Sequence, residues 1–496
     1  MKNSCFFRGI CRSLILLGLC SATVCSNFLS LTAKTCISYV SKVDQSIEQS
    51  NDNSKPEIAD WTFYIYMQAR NNLAPYASKN IDAISSAKTG EKVNFVVQLD
   101  EPKRAGAWRY EIKENQTILA NYSDIKNPLD QTEKIIDFVR WGAKAYPSKH
   151  HCLIFWNHGV GVLDPLFYGS SVKSFLGQNY DYLCSNSAQE DEFADCDSED
   201  ESNSFDAQTD LVLPAIQRGV MFDEENHTFM TSRDLSRALE KITSAEILNK
   251  KIECLGFDAC YMAGLEIDSQ ISNYAEYRIS SQELELAHGW AYHEITKALC
   301  TSTSYYSPNK LAKLVVTSFG NMYRGKTNLY TQSAVKLSCA NEITNQLNKI
   351  IDAIEVVTKL DKNFILEATK QARKNCQQFT AKVYIDLASF YQQFMVQIEN
   401  RLIKADPSTL QRIRQRQIPV IGSKLQAALH ELHNALADGI AGINSAVIEN
   451  SRSSYLANAR GISIYFPFRA IDASYYACSF AQSSRWLEFI SAFAVP

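Results

Sequence analysis

From residue 61 onward, strand-like apolar runs alternate with segments whose apolar residues recur at helical spacing. Residues 61–67 (WTFYIYM) and 93–99 (VNFVVQL) are apolar runs rich in aromatic and β-branched residues, which predicts two buried strands. Residues 76–88 lie between these runs and carry their apolar positions at helical spacing. Strand, helix and strand in this order form the sequence signature of a βαβ unit. The pattern therefore predicts parallel strands joined by helices.

The same alternation continues to about residue 280. The further elements that it predicts are helices over 132–145 and 232–241, and strands over 152–156, 252–257 and 277–280. Another helix is predicted to begin at Cys260, directly after the strand 252–257. Because helices and strands alternate along the chain, the fold class is α/β, with a mostly parallel central sheet and helices on both faces.

Changes in this pattern divide the chain into four segments. They are a signal peptide over 1–26, a polar linker over 27–58, an α/β domain over 59–330 with an acidic loop insertion at 162–218, and a mostly helical C-terminal part over 331–496 with a returning strand at 461–468. The insertion holds nine acidic residues and no basic residue between positions 189 and 206, which predicts a solvated loop.

The N-terminus has the proportions of an export signal. Lys2, Arg8 and Arg12 precede an apolar run over 13–25, which is short for a span of the bilayer. This predicts a secreted protein or a protein of the cell envelope or periplasm. An uncleaved membrane anchor is the alternative, and a lipid-anchored cysteine ranks below it. Membrane contact is expected only through this segment.

Charge and cysteine spacing exclude several classes of function. The formal net charge of −4 argues against a nucleic-acid-binding protein. Ten of the fourteen cysteines lie outside the signal, and none forms a CxxC pair or a spaced Cys/His array, so no metal site is predicted. Calcium is the alternative for the acidic insertion, but the EF-hand spacing is absent from it. No other cofactor is expected.

Two reactive side chains follow the ends of predicted buried strands. His158 follows the run LIFWN and is succeeded by Gly159, which permits a sharp turn. Cys260 follows LGFDA. Active sites of open parallel sheets form beyond the carboxyl ends of the strands, so the two side chains are expected to meet there as nucleophile and general acid/base. A helix starting at Cys260 would lower the pKa of its thiol, and backbone N–H groups near Gly159 and Cys260 would stabilise the oxyanion.

Other interpretations of these residues remain open. Free cysteines are often buried core residues, and a histidine after a strand can simply cap a turn. His150 and His151 are rival bases, but they precede the strand and are expected at the opposite end of the sheet. His293 lies after the Trp290 loop and could approach the cleft. Each of the three ranks below His158.

Five motifs occur in an order that resembles the clostripain family of cysteine peptidases, in the caspase-like clan. They are WTFYIYMQARNNL, CLIFWNHGVG, GFDACYMAGLEI, SSQELELAHGWAY and GISIYFPF, and they extend from about residue 61 to the C-terminal helix. The resemblance implies a caspase-like α/β/α sandwich and hydrolysis of peptide bonds in protein or peptide substrates. It also implies a catalytic dyad at His158 and Cys260.

The resemblance further implies cleavage after Arg or Lys, through acidic groups at the P1 pocket. Asp258 matches one such position, although it could instead cap a helix beyond it. A second acid is expected in the loop before Gly289, where His288 stands at the expected position. Glu285 is then the candidate substitute, and an altered P1 pocket is the alternative.

Family members are often cut between the catalytic His and Cys. No Lys or Arg occurs from residue 174 to 217, so Lys173 and Arg218 are the candidate processing sites. The competing functions are an inactive relative that only binds at the cell envelope, and a transpeptidase or amidase that uses the same dyad.

Overall fold

The computed structural model describes residues 58–123, 130–163, 219–302, 305–405 and 424–493. These ranges belong to one compact unit, Pro56–Pro496. The predicted signal peptide lies outside the described residues, as do nearly all of the linker and most of the acidic insertion with Lys173 and Arg218. Among the described helices, none has the length and apolar character needed to cross a membrane.

Strands and helices alternate through the first two thirds of the described chain. The strands are β1 (Ala59–Gln68), β2 (Val93–Asp100), β3 (Ala107–Lys113), β4 (Gln116–Ser123), β5 (Ser148–Trp156), β6 (Gly219–Asp223), β7 (Thr228–Thr231), β8 (Ile252–Asp258), β9 (Ala275–Ser280), β10 (Thr331–Lys336), β11 (Tyr384–Asp386), β12 (Val447–Arg452) and β13 (Ser463–Tyr465). The helices are α1 (Ala74–Ser85), α2 (Gln131–Ala145), α3 (Ser232–Thr243), α4 (Leu265–Ile271), α5 (Tyr292–Thr301), α6 (Pro308–Tyr323), α7 (Ala340–Leu360), α8 (Lys362–Asn375), α9 (Leu387–Ala405), α10 (Lys424–Ala446), α11 (Ser479–Ser483) and α12 (Trp486–Phe493).

Nine of these strands form one sheet in the order β12-β10-β9-β8-β5-β1-β2-β3-β4. The five central strands, from β9 to β2, are parallel to one another. The pairs at both edges are antiparallel. The predicted α/β class with a mostly parallel central sheet is therefore confirmed.

Strand β1 shows why both faces of the sheet are covered. Trp61, Phe63 and Ile65 pack in one apolar cluster with residues of α1, α5 and α6. Tyr64 and Tyr66, which alternate with them, pack in a second cluster with residues of α2 and α3. Successive side chains of a strand point to opposite faces, so a run that is apolar on both faces requires helices on both sides.

The predicted strands and helices agree with the structure except at two places. The helix predicted to begin at Cys260 begins instead at Leu265, and Gly264 is its N-cap residue. In the C-terminal part, 461–468 was the one predicted strand, and its strand covers only Ser463–Tyr465. That part also contains β10, β11 and β12, which the sequence pattern did not predict.

The sheet continues across residue 331, where the sequence pattern placed a division. β10 pairs with β9, and β12 pairs with β10. A buried ion pair fixes this edge: Arg278 donates to Asp268 at 2.8 and 3.0 Å. The Arg278 guanidinium also reaches the Ser333 hydroxyl at 2.8 Å and the Gly461 carbonyl at 3.2 Å. The C-terminal part is thus built into the same sheet as the strands that carry the candidate site.

Candidate active site

Two neighbouring strands end at the candidate site. β5 and β8 pair in parallel, and their last residues, Trp156 and Asp258, are register partners. His158 and Cys260 each lie two residues beyond this pair. Both residues therefore lie at the carboxyl ends of the parallel strands, on the same side of the sheet, as predicted from the positions of the strand ends.

One small cavity brings the candidate residues together. Its walls include Cys260, His158, Asp258 and Glu285. The cavity holds about 20 Å³, which is close to the room that a single water molecule needs. Cys260 and His158 are each 3% exposed. In this state the cavity is too small to hold an amino-acid side chain.

Asn157 fixes the backbone on which His158 stands. Its side-chain amide donates to the carbonyl of Gln68 and, at 2.9 Å, to that of Phe222. Its Oδ1 accepts from the backbone N–H of His158 and, at 3.0 Å, from that of Phe222. Phe222 belongs to β6, and Val220 of the same strand forms a bridge with Gly159. The hairpin that follows the acidic insertion is thereby bound to the His158 loop.

The His158 side chain is buried and contacts a second asparagine. Its Nε2 lies 2.7 Å from Oδ1 of Asn72. Burial lowers the pKa of His158 to about 3, because the charged imidazolium loses its hydration. The ring is therefore neutral near pH 7 and retains a lone pair that can accept a proton.

Cys260 lies in a turn and not at a helix terminus. Because α4 begins at Leu265, its dipole does not act at Cys260, and the predicted lowering of the thiol pKa by a helix is wrong. Burial raises the pKa of Cys260 above its usual value. The backbone N–H of Glu285 donates to Sγ at 3.2 Å and opposes this shift. The resting site therefore holds a thiol beside a neutral imidazole.

Gly159 has a steric reason to lack a side chain. A Cβ at this position would lie 2.5 Å from the carbonyl oxygen of Cys260 and 3.2 Å from Cβ of Ala259. Such contacts would push the two strand-end loops apart. Tyr261, next to Cys260, adopts a φ of +60°, which is unusual for a bulky residue. The two loops are thus in close contact at the reactive side chains.

Asp258 accepts hydrogen bonds at the inner wall of the cavity. Its Oδ2 accepts from the Trp290 backbone N–H at 3.2 Å and from the Tyr292 hydroxyl at 2.8 Å. The alternative that Asp258 caps the following helix is wrong, because Gly264 occupies the N-cap position of α4. Burial raises the pKa of this carboxyl, and the two hydrogen bonds oppose the shift.

Glu285 provides a second carboxyl group beside Cys260. Its Oε2 accepts from the Ala259 backbone N–H at 2.8 Å, and its Oε1 accepts from the Trp290 indole at 2.8 Å. Burial raises the pKa of Glu285, and the nearby carboxylate of Asp258 raises it further. Two carboxyl groups in one buried site disfavour each other's ionised form, so they retain a proton between them.

His288 is half-buried and does not line this cavity. Its ring makes an edge contact with Tyr76, with centroids 5.3 Å apart. It faces a separate cavity of about 570 Å³, whose walls also include Lys79 and Asn321. Of the three candidate pocket residues, the structure brings Asp258 and Glu285 to Cys260 and places His288 elsewhere.

The rival histidines lie away from Cys260. His150 and His151 are near the start of β5, where they pair with Trp61 and Thr62, so they lie toward the opposite end of the sheet. His293 is on α5, and its Nδ1 lies 3.0 Å from the Ser86 hydroxyl. It lines the larger cavity and not the cavity of Cys260.

No metal cluster or disulfide is found among the residues that the structure describes. Within those ranges no group of three or more His, Cys, Asp or Glu side chains could hold a metal ion. None of the seven cysteines in the same ranges forms a disulfide with another of them. The acidic insertion, where calcium was the alternative, lies outside them.

Sequence reasoning missed the two asparagines that contact His158. Asn157 directly precedes the histidine, and Asn72 stands in the motif WTFYIYMQARNNL at the other side of the site. The only available signal was their position after strands that end at the same edge. Periodicity carries no information about such loop residues.

Comparison with known proteins identifies the family. The model of peptidase family C11, the clostripain family, matches residues 65–181 and 205–492. No curated protein gives a significant match.

Solved C11 structures have a similar fold. The inactive zymogen of a C11 protease from Parabacteroides distasonis has 17% sequence identity and a TM-score of 0.53, over 86% of this chain and 99% of its own. Iotapain, a secreted C11 cysteine protease from Bacteroides thetaiotaomicron, has 14% identity and a TM-score of 0.54, over 86% of this chain and 100% of its own. A secreted C11 cysteine protease of that species in complex with an irreversible peptide inhibitor has 15% identity and a TM-score of 0.51, over 86% and 99%. With the family match over most of its length, the chain belongs to the clostripain family of cysteine peptidases.

Proposed function

We propose that this chain is an endopeptidase that cleaves after Arg or Lys, with Cys260 as the nucleophile and His158 as the general acid/base. The observation that carries the proposal is the single cavity lined by Cys260, His158, Asp258 and Glu285. A thiol, a neutral imidazole and two carboxyl groups on adjacent strand ends are the groups that such a reaction needs.

The proposed reaction moves one proton between sulfur, imidazole and the leaving group. His158 takes the proton of the Cys260 thiol as the thiolate attacks the scissile carbonyl carbon. The imidazolium then gives that proton to the departing amine, which leaves a thioester on Cys260. Water, deprotonated by His158, hydrolyses the thioester and restores the thiol. Backbone N–H groups of Gly159 and Cys260 are the proposed donors to the oxyanion.

The two carboxyl groups support a preference for basic P1 residues. Asp258 and Glu285 are buried next to the nucleophile, where an unpaired carboxylate is costly. A guanidinium or ammonium group entering this space would pair with them and favour their ionised form. An uncharged P1 side chain would leave the two buried carboxylates without an opposite charge.

Substrate binding requires this small cavity to widen, and we propose self-cleavage as the trigger. A cut after Arg218 would make Gly219 a new N-terminus, at the first residue of β6. The next residue, Val220, bridges Gly159, and Phe222 is hydrogen-bonded to Asn157. Release of the chain before Gly219 would therefore act on the loop that carries His158. The inactive zymogen of the Parabacteroides protease supports such a precursor state.

We propose a secreted or envelope location, with proteins or peptides as substrates. The basic residues and apolar run at the N-terminus have the proportions of a signal peptide. The similar Bacteroides thetaiotaomicron proteases are secreted.

A panel of fluorogenic peptides that differ only at P1 tests the proposed specificity. We expect the processed enzyme to hydrolyse Arg and Lys peptides at least about 100-fold faster, as kcat/KM, than Leu, Ala or Glu peptides, because only the first two pair with buried carboxylates. Failure to cleave any peptide would overturn the peptidase proposal. Turnover that requires an added amine acceptor would indicate a transpeptidase.

Self-processing is tested by replacing the two basic residues that flank the insertion. We expect the wild type to yield a new N-terminus at Ser174, at Gly219 or at both, and we expect the Lys173→Gln/Arg218→Gln double variant to remain one chain. Lys370→Gln, which changes an exposed lysine on α8, is the matched control. N-terminal sequencing and kcat/KM are the measurements. A fully active wild type that is never cut would contradict this part of the proposal.

A further inference from the structure

Asn72, which follows the end of a third strand, contacts the proposed catalytic histidine. β1 lies directly beside β5 in the sheet, and β5 lies beside β8. Asn72 follows β1, as His158 follows β5 and Cys260 follows β8. The three side chains therefore come from three consecutive strands at one edge of the sheet.

The contact between Asn72 and His158 has a defined direction. Oδ1 of Asn72 lies 2.7 Å from Nε2 of His158. An amide oxygen only accepts hydrogen bonds, so Nε2 carries the proton. In the neutral ring the lone pair then lies on Nδ1, so Nδ1 is the nitrogen that can take up the thiol proton in the proposed reaction.

The loop that carries Asn72 is held on both sides of it. The side chain of Asn71 donates to the carbonyl of Phe222 at 2.9 Å and accepts from the Leu73 N–H at 2.9 Å. Arg70, one residue earlier, is buried, and its guanidinium donates to the carbonyl of Arg104 at 2.6 Å. The amide of Asn72 is thus held at a fixed place, and little entropy is lost when it orients the ring.

We propose that Asn72 is the positioning residue of the catalytic histidine: it fixes the Nε2–H tautomer and stabilises the imidazolium that forms during acylation. This inference rests on the proposed function. In the proposed step the thiol proton moves to Nδ1, and Nε2 keeps its proton in the bond to Asn72. The amide oxygen accepts that hydrogen bond more strongly when the ring is charged. No proton passes to Asn72.

Two substitutions separate this role from a purely structural one. We expect Asn72→Ala to lower kcat by about 10- to 100-fold with little change in KM, because proton transfer and not substrate binding is affected. Asn72→Asp keeps the acceptor and adds a negative charge, which favours the imidazolium. It is expected to restore most of kcat and, because it raises the pKa of the His158 base, to move the acidic limb of the pH profile to higher pH. Asn345→Ala, an exposed position on α7, is the control and is expected to match the wild type.

A spectroscopic measurement tests the tautomer without a substrate. In ¹⁵N-histidine-labelled protein, the His158 signals are identified by their loss in His158→Gln. We expect the Nε2–H form in the wild type and in Asn72→Asp, and a mixture of tautomers in Asn72→Ala. Unchanged tautomer signals or an unchanged kcat in a folded Asn72→Ala protein would overturn the inference. If the wild type cleaves no peptide, the proposed function fails, and the tautomer result still decides the role of Asn72.

Discussion

Replacing Cys260 by alanine is expected to reduce kcat on an Arg peptide by about 10⁴-fold or more, because no other group can form the thioester. Cys260→Ser should be nearly as inactive, since a hydroxyl beside a neutral imidazole is a much weaker nucleophile than a thiol. The thermal midpoint of both variants should stay close to that of the wild type, because the change in volume is small.

Cys300→Ala, which removes a different thiol, is the matched control. Cys300 is half-buried on α5 and lies outside the walls of the cavity that contains Cys260. It is expected to retain wild-type kcat, and the measurement is initial-rate hydrolysis of the same peptide after identical processing. Substantial activity of Cys260→Ala would show that another residue is the nucleophile and would end the proposed mechanism.

The fold was predictable where long segments keep one period. The runs that became β1, β2, β5 and β8 are mostly apolar on both faces because helices cover both faces of the sheet, and such runs are recognisable from sequence. Their order also predicted that His158 and Cys260 leave the sheet at one edge, which the register of β5 and β8 confirms.

The turn at Cys260 shows where periodicity misleads. Residues 260–271 contain apolar positions that suit a helix, but the left-handed φ of Tyr261 interrupts a right-handed helix at its start. The chain continues extended to Gly264, which bridges Ser463, and the helix begins only at Leu265. A tertiary contact with a strand 200 residues away decides this local structure, and no window of sequence contains it.

The edge strands of the C-terminal part were missed for a related reason. β10 and β12 have six residues each. β10 follows the long helix α6, and β12 directly follows the long helix α10. The Arg278 guanidinium of β9 contacts Ser333 of β10 and the Gly461 carbonyl, which are 55 and 183 residues away in sequence. Short strands held by distant polar contacts give no periodic signal of their own.

The pocket residues were predictable in type but not in position. The loop over 283–288 holds two glutamates and a histidine, and sequence alone did not decide which of them faces the nucleophile. The structure directs Glu285 into the cavity because its carboxylate accepts from Ala259 and Trp290. His288, three residues on, packs against Tyr76.

Removing the charge of both pocket carboxyls is expected to abolish the preference for basic P1 residues. Asp258→Asn or Glu285→Gln should each lower kcat/KM for an Arg peptide by about 10- to 100-fold, which corresponds to about 1.5–3 kcal/mol for a hydrogen bond to a charged group. The double variant should lose about 10³-fold. Hydrolysis of a Leu peptide should change far less, because its P1 side chain forms no ion pair.

The pH dependence provides a second measurement of the same effect. Burial raises the pKa of Asp258 to about 7 and raises the pKa of Glu285 above its usual value. Below pH 7 the Asp258 carboxyl holds a proton and attracts a guanidinium weakly. As pH rises through 7 Asp258 ionises, so kcat/KM for Arg peptides should increase over this range and the increase should be absent in the double variant.

Glu294→Gln is the matched control for charge removal. Glu294 is exposed on α5, and its carboxylate does not line the cavity of Cys260. It is expected to keep the wild-type preference and pH profile. The Asp258 and Glu285 variants could instead lose activity equally toward Arg and Leu peptides. That result would mean that these carboxyls hold the loops in place and do not select the P1 side chain. The ratio of the two kcat/KM values, measured across pH 5.5–8.5, therefore separates specificity from structure.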